Sequence, residues 1–460
     1  MNPLAPLREA FIGFVQRRKQ RRRDGGSVKS SLSFAAAAAL ASVLIAMTII
    51  PRQESASGPG FFRAEERQGI WWLIDPSGKP TLSIGVDQIA YEPDRIRGTG
   101  PAPYREAVSK LYPDRNAWDL GALFRLRTWG FNTIGAWSDD ELWSLGVPYT
   151  VILDIAARSG ADWQHGKVAD FFDSRFETTA RNLAALACRP RSHDPLLIGY
   201  FSDNELRWGS DWRGKENMLQ MYLAMPEGAA GRKRATDFLR ERYASDIAKL
   251  RQAWSAVAAD FEHLPPDSTT EAFKADSDAF LELVAARYFE VSAQAIHAAD
   301  PNHLYLGARF AGRVPDAVLR GARSADVVSV NIYSFDPRPL VEHIYEVTRK
   351  PVLITEFAFR AEDSGLPNTQ GAGPKVPNQP SRAKAFTEYV TRLESLPEAV
   401  GYHWFKWADE PKEGRFDGEN SNYGLVDIGD QPYSEFVAAV KAANAGALRA
   451  HERSTASPRP

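Results

Sequence analysis

Eight short apolar segments recur along the chain, and most are separated by stretches with the apolar spacing of a helix. This alternation predicts parallel strands joined by helical crossovers. Eight repeats favour closure into a (β/α)8 TIM barrel, although an open doubly wound sheet fits the same alternation. The predicted strands are Thr81–Val86, Gly130–Trp137, Tyr149–Ile155, Leu196–Phe201, Leu304–Phe310, Val327–Tyr333, Pro351–Phe357 and Val400–Trp407.

Residues 206–300 are too many for one crossover between the fourth and fifth strands. They contain helical patterns near Lys215–Ala224, Lys233–Ala256 and Asp276–Ala299. We therefore expect a helical insertion after strand four that partly covers the site. A loop rich in Gly, Pro and Asn, about 360–381, follows strand seven and is typical of a lid.

The N-terminal part of the chain has the pattern of a membrane signal anchor. A basic cluster, Arg17–Arg23, precedes an uncharged apolar run from Leu32 to Ile50, which approaches the roughly 20 residues that span a bilayer. A long cleaved signal peptide is the alternative, and the chain would then be secreted. We expect a basic cytoplasmic segment at 1–31, a transmembrane anchor at 32–50, a linker at 51–60, a catalytic domain at 61–446 and a disordered tail at 447–460. This order predicts a bacterial inner-membrane protein whose catalytic domain faces the periplasm.

Composition excludes several classes of protein. The formal net charge of −2 argues against a nucleic-acid partner, which requires a basic surface. The single cysteine, Cys188, allows no internal disulfide, and the eight histidines form no metal-ligand motif. We therefore expect no metal and no cofactor.

Polar and aromatic residues stand at the ends of the predicted strands, where the carboxyl ends of parallel strands form the active site of a barrel. Two of them are glutamates, Glu205 after strand four and Glu356 at the end of strand seven. A pair of carboxyl groups facing one pocket is what glycoside hydrolysis requires. The other strand-end residues are Asp87, Trp137, Asp154, Asn204, Arg309, Tyr333, His403 and Trp404.

The chain resembles the retaining glycoside hydrolases built on (β/α)8 barrels, and within them the catalytic domains of β-agarase-like enzymes. The similarity extends from Phe61 to about Ala443. The motifs that carry it are Gly69-Ile70-Trp71-Trp72, Pro76-Ser77-Gly78-Lys79-Pro80, Ser83-Ile84-Gly85-Val86, Gly199-Tyr200-Phe201-Ser202-Asp203-Asn204-Glu205 and Gly401-Tyr402-His403-Trp404-Phe405.

The resemblance implies a role for each candidate residue. Glu205 would be the general acid/base and Glu356 the nucleophile. Asn204 would bind the sugar 2-hydroxyl, Tyr333 would orient Glu356, and Trp404 would stack on the sugar. Arg309 would keep Glu356 ionised, unless it forms a structural ion pair. Further candidates for substrate binding, each with ordinary packing or loop bonding as the alternative, are His403, Trp137, Asp87 and Trp208.

The predicted function is double-displacement hydrolysis of a β-linked galactose- or glucose-type oligosaccharide or polysaccharide, so the expected partner is a carbohydrate. Three alternatives fit the same sequence. They are a transglycosylase of envelope glycans, a non-catalytic barrel that only binds glycan, and a membrane-anchored structural scaffold.

Overall fold

Nine parallel strands form the central sheet of the computed structural model, which describes residues 60–98, 100–264 and 268–454. Two smaller sheets accompany it. In chain order, the strands of all three sheets in the described residues are β1 (Arg63–Arg67), β2 (Ile70–Ile74), β3 (Pro80–Thr81), β4 (Ser83–Val86), β5 (Thr133–Ile134), β6 (Tyr149–Ile152), β7 (Leu197–Phe201), β8 (Leu304–Tyr305), β9 (Phe310–Ala311), β10 (Val328–Asn331), β11 (Val352–Phe357), β12 (Arg360–Ala361), β13 (Lys375–Val376) and β14 (Ala399–Trp404). The two smaller sheets are β1-β2-β3 and β12-β13. The order across the central sheet is β8-β7-β6-β5-β4-β14-β11-β10-β9. Because all pairs are parallel, the carboxyl ends of these strands lie along one edge.

Helices connect most of these strands and cover the sheet. They are α1 (Pro103–Leu111), α2 (Arg115–Thr128), α3 (Ile155–Arg158), α4 (Ser174–Ala187), α5 (Met218–Leu223), α6 (Ala230–Arg242), α7 (Ile247–Trp254), α8 (Glu271–Ala299), α9 (Asp316–Gly321), α10 (Arg338–Thr348), α11 (Gln379–Glu394) and α12 (Ser434–His451). The helical segment after β7 thus comprises α5 to α8. Local sequence explains the helix starts: the Asp114 side chain accepts from the backbone N–H of Ala117 and caps α2.

The first three strands form a separate antiparallel sheet. Strands β2 and β3 pair antiparallel, with Leu73 opposite Thr81, and β1 pairs on the other side of β2. The Asp75 side chain accepts hydrogen bonds from the backbone N–H groups of Ser77 and Lys79, both at 2.9 Å. An aspartate that bonds the backbone ahead of it stabilises a tight turn, which explains the turn at Pro-Ser-Gly.

The expected closed eight-stranded (β/α)8 TIM barrel is wrong. The sheet is curled and has nine strands. The segment predicted as strand five, Leu304–Phe310, forms two of them, β8 and β9, which are the first and the last strand of the sheet order. Between them, Gly307 and Arg309 have left-handed backbone, with φ of +82° and +46°. Such residues cannot continue a strand ladder. An apolar pattern records side-chain character and not backbone conformation, so it did not indicate this break.

The two ends of the chain were expected to contain a membrane anchor and a disordered tail. The basic segment 1–31 and the predicted anchor 32–50 lie outside the described residues, as does the linker 51–60 apart from Gly60. Within the described parts of the chain, no helix combines the length and the apolar character needed to cross a bilayer. The disordered tail expected from residue 447 is wrong as far as His451, because α12 runs to that residue. His451 is buried and its Nε2 lies 2.9 Å from the Trp71 carbonyl oxygen, which holds the helix end against β2.

Candidate active site

The two predicted glutamates lie at the carboxyl edge of the sheet. Glu356 is part of β11, and Glu205 follows β7 in a left-handed conformation with φ of +51°. The backbone N–H of Glu205 donates to the Arg309 carbonyl oxygen at 3.1 Å. A non-glycine residue in this region costs about 1–3 kcal/mol, and such residues concentrate at functional sites. The strained backbone therefore marks Glu205 as a candidate functional residue.

Glu356 is held by two donors, one on each carboxyl oxygen. Arg309 Nη2 contacts Oε1 at 2.6 Å, and the Tyr333 hydroxyl donates to Oε2 at 2.6 Å. Glu356 is almost completely buried, with 5% of its surface exposed. The predicted contacts of Arg309 and Tyr333 with Glu356 are thus present in the structure.

Glu205 is partly exposed and has a different partner. The amide Nδ2 of Asn331, the last residue of β10, donates to Glu205 Oε1 at 2.9 Å. Asn331 Oδ1 accepts from the Thr355 hydroxyl at 2.7 Å, which fixes the orientation of the amide. No described residue donates to Glu205 Oε2, so this oxygen is open for another partner.

Asn204 is fixed between the groups that hold the two glutamates. Its Oδ1 accepts from Arg309 Nε at 2.9 Å and from Asn331 Nδ2 at 3.2 Å. Both lone pairs of the amide oxygen are therefore used. The Asn204 Nδ2 donates to no described residue, so it is the group that Asn204 offers to a ligand.

Burial raises the pKa of both glutamates. It raises the pKa of Glu356 to about 8, the charges of Glu205 and Asp87 act in the same direction, and Arg309 and Tyr333 act against it. Burial likewise raises the pKa of Glu205, while the Asn331 hydrogen bond and the Arg309 charge lower it. A negative charge on Glu205 thus disfavours the ionised form of Glu356, and a proton on Glu205 removes that effect.

Arg309 is completely buried and is central to the site. Besides Glu356, its Nη2 pairs with Asp87 Oδ2 at 2.8 Å. The ring of Trp137 covers the guanidinium, with 4.5 Å between Cζ and the ring centroid. Trp137 has 37% of its surface exposed, so it remains available to a ligand next to the glutamates.

Asp87 and His403 were candidates for substrate binding with a structural role as the alternative, and the structure favours that alternative because both side chains are completely buried. Asp87 Oδ1 accepts from the Ala136 N–H at 3.0 Å, and its other oxygen pairs with Arg309. His403 Nε2 lies 2.8 Å from the Ser83 hydroxyl, and Nδ1 is 3.6 Å from Asp87 Oδ1. Asp87 thus pairs directly with Arg309, and His403 lies next to Asp87 in the buried part of the site.

Trp404 and Trp208 were candidates for contact with the sugar, and the structure buries both of them. Trp404 is completely buried, and its Nε1 donates to the Tyr423 carbonyl oxygen at 2.9 Å. Its ring packs on Phe386 of α11, with 5.6 Å between the two ring centroids. Because strand residues alternate between faces, His403 points inward and Trp404 points outward to the helices. Trp208 is 5% exposed and stacks on Phe289 of α8.

Sequence reasoning missed Asn331 as a site residue. The two-residue period of a strand could have indicated it, because residues two positions apart share a face and Tyr333 is a candidate site residue. Within the described residues, no group of three or more His, Cys, Asp or Glu side chains is placed to hold a metal ion.

Two curated proteins are similar to this chain over most of its length. No protein-family model matches the chain. β-Agarase A of Vibrio sp. (strain JT0107) is 30% identical over 467 residues, which cover 85% of this chain and 46% of that relative. β-Agarase B of the same strain is 28% identical over 466 residues, covering 84% of this chain and 48% of that relative. The chain thus spans about half the length of the curated relatives it matches.

Solved structures show the same similarity. The crystal structure of an agarase, AgWH50C, superposes with a TM-score of 0.79 at 25% identity, covering 93% of this chain and 72% of that one. An exo-β-agarase superposes with a TM-score of 0.78 at 24% identity, covering 93% and 72%, and shows the shared fold. The relatives support the expected class of enzyme, a glycoside hydrolase.

Proposed function

We propose that the chain hydrolyses a β-linked bond of an agarose-type polysaccharide by double displacement, with Glu205 as general acid/base and Glu356 as nucleophile. The support for the substrate is the similarity to β-agarases. The support for the two roles is the different environment of the two carboxyl groups. The observation that carries the proposal is the pair of donors, Arg309 and Tyr333, on Glu356.

In this proposal Glu205 carries the proton and Glu356 reacts as the carboxylate. Arg309 can only donate, and burial together with the charge of Glu356 raises the pKa of Tyr333 well above its usual range, so the phenol keeps its proton. Both oxygens of Glu356 therefore face donors and favour the carboxylate. Glu205 faces the neutral amide of Asn331 and has Oε2 open, so it can carry a proton.

In the first step, a Glu356 oxygen attacks the anomeric carbon as the bond to the leaving oxygen breaks. Glu205 transfers its proton to that oxygen, which yields a free alcohol and a glycosyl ester on Glu356. In the second step, Glu205, now a carboxylate, takes a proton from water. The resulting hydroxide attacks the anomeric carbon, releases Glu356 and restores the protonated Glu205. Asn204 Nδ2 donates to the sugar 2-hydroxyl through both steps.

The test is turnover of agarose-derived and β-glucan oligosaccharides by the unaltered chain and by Glu205→Gln and Glu356→Gln. Each variant is expected to lose at least about a hundredfold in kcat. Early products analysed by nuclear magnetic resonance should retain the β-anomeric configuration. Glu290→Gln, a change at an exposed position of α8, is the matched control and should keep full activity. Full activity in either active-site variant, or inverted products, would contradict the proposal.

A further inference from the structure

The buried side chain of Arg213, which is 3% exposed, joins the loop that follows Glu205 to the Glu205 backbone. Its Nη1 donates to two carbonyl oxygens, those of Glu205 and Trp163, each at 2.8 Å. Its Nε and Nη2 donate to Asp211 Oδ2 at 3.0 and 2.6 Å. One guanidinium thus connects two surface loops, 162–167 and 207–216, to the backbone of Glu205.

Each of these loops exposes a tryptophan. Trp212 has 65% of its surface exposed and Trp163 has 36%. The Arg213 Cζ lies 4.2 Å from the centroid of the Trp212 ring. Arg213 contacts both the Trp212 ring and the Glu205 carbonyl oxygen, so one guanidinium lies between this indole and the backbone of Glu205. An exposed indole offers a large flat apolar face on which a ligand can stack.

Further hydrogen bonds hold the loop that carries Trp212. Arg207 Nε donates to the Gly209 carbonyl oxygen at 2.8 Å, and its Nη2 pairs with Glu216 Oε2 at 2.9 Å. The backbone N–H of Asp211 donates to the Gly214 carbonyl oxygen at 2.9 Å. A ring on a preorganised loop loses little conformational entropy when a ligand stacks on it.

We propose that Trp212, together with Trp163 on the loop that Arg213 joins to it, is a stacking platform for a sugar residue on the leaving-group side of the scissile bond. This inference rests on the proposed function, because Glu205 protonates the leaving oxygen and the next sugar must therefore lie on the Glu205 side. The C–H face of a pyranose is apolar and matches the face of an indole, while Arg213 occupies one face of Trp212 and leaves the remainder exposed.

The variants that test this inference are Trp212→Ala and Trp163→Ala. The matched control is Leu186→Ala, which removes an apolar side chain, 75% exposed, near the C-terminal end of α4 and hence at the opposite edge of the sheet. Turnover is measured on agarose-derived oligosaccharides and on a glycosyl fluoride, whose leaving group carries no sugar. Binding of the same oligosaccharides is measured by calorimetry in a Glu356→Gln background, and folding is monitored by thermal denaturation.

We expect Trp212→Ala to lower kcat/KM on the oligosaccharides by about tenfold, with no change on the fluoride. The affinity of the Glu356→Gln background for the oligosaccharides should fall by a similar factor, and Leu186→Ala should change neither. Equal losses on both substrates, or unchanged binding, would overturn the platform. Because binding is measured without turnover, loss of binding in a chain that proves inactive would support the platform and refute only the catalytic proposal. No binding of the oligosaccharides by the Glu356→Gln chain that keeps both tryptophans would overturn both.

Discussion

The side-chain amide of Asn331 donates to Oε1 of Glu205 at 2.9 Å, and Asn331 also pairs with Glu356 in the ladder between β10 and β11. One residue at the end of β10 therefore sets the position of one glutamate relative to the other. Its hydrogen bond also lowers the pKa of Glu205 against the effect of burial. This relationship gives a measurable dependence of activity on pH.

Asn331→Ala should move the basic limb of the kcat/KM pH profile to higher pH. Without the amide donor the carboxylate form of Glu205 is less favoured, so its pKa rises and the proton needed for catalysis persists to higher pH. Asn302→Ala is the matched control, since it removes an asparagine amide that donates to a backbone carbonyl, that of Ser192, before the amino end of β8. A basic limb that is unchanged or lies lower in Asn331→Ala would contradict this role.

Tyr333→Phe should move the acidic limb of the same profile to higher pH and lower activity at neutral pH by about tenfold or more. The Tyr333 hydrogen bond lowers the pKa of Glu356, which burial raises to about 8, so its loss lets that pKa rise further. The nucleophile must be ionised, so the active range begins at higher pH. Tyr389→Phe removes a hydroxyl that donates to a backbone carbonyl, and it should leave the limb where it is.

Arg309→Met should destabilise the fold by about 3–5 kcal/mol, because it leaves the buried carboxyl groups of Asp87 and Glu356 without their cation. Urea unfolding at neutral pH measures the loss. Adding Asp87→Asn to Arg309→Met removes one of the two unpaired acids, so the double variant should be more stable than Arg309→Met alone. A double variant less stable than Arg309→Met would show that the ion pair is not what holds this part of the site.

Trp404→Ala and Trp137→Ala should have opposite consequences. Trp404 is buried between β14 and the helices, so its loss should cost about 3–5 kcal/mol of unfolding free energy. Trp137 is half exposed beside Arg309, so its loss should raise KM with a smaller change in stability. Thermal denaturation and steady-state kinetics on both variants distinguish these roles. A raised KM in a stable Trp404→Ala variant would restore the role that the sequence pattern had indicated for Trp404.

The sequence predicted the elements that position the two glutamates, because a short apolar run that ends in a polar residue is a strong local signal. Glu205 follows β7 and Glu356 lies near the end of β11, as the pattern required. The contacts of Tyr333 and Arg309 with Glu356 follow from the same strand-end logic, because carboxyl ends of parallel strands share an edge.

What the sequence did not predict depends on backbone geometry and on the face of a strand. The left-handed backbone at Gly307 and Arg309 divides one apolar run into β8 and β9. His403 and Trp404 are adjacent, so at most one of them could face the site, and the structure buries both. The role of Arg213 arises from contacts between loops that are distant in sequence, and no local pattern encodes such contacts.

The most direct test of the account is to trap the glycosyl ester with a 2-deoxy-2-fluoro glycosyl fluoride of the sugar that the chain hydrolyses, and to locate it by peptide mass spectrometry. The fluorine slows both steps, while the fluoride leaving group allows the first to proceed, so the ester should accumulate. The account predicts one label per chain, on the peptide that contains Glu356, and no label in Glu356→Gln. A label on Glu205 or any other residue, or steady turnover of the compound without a labelled peptide, would contradict it.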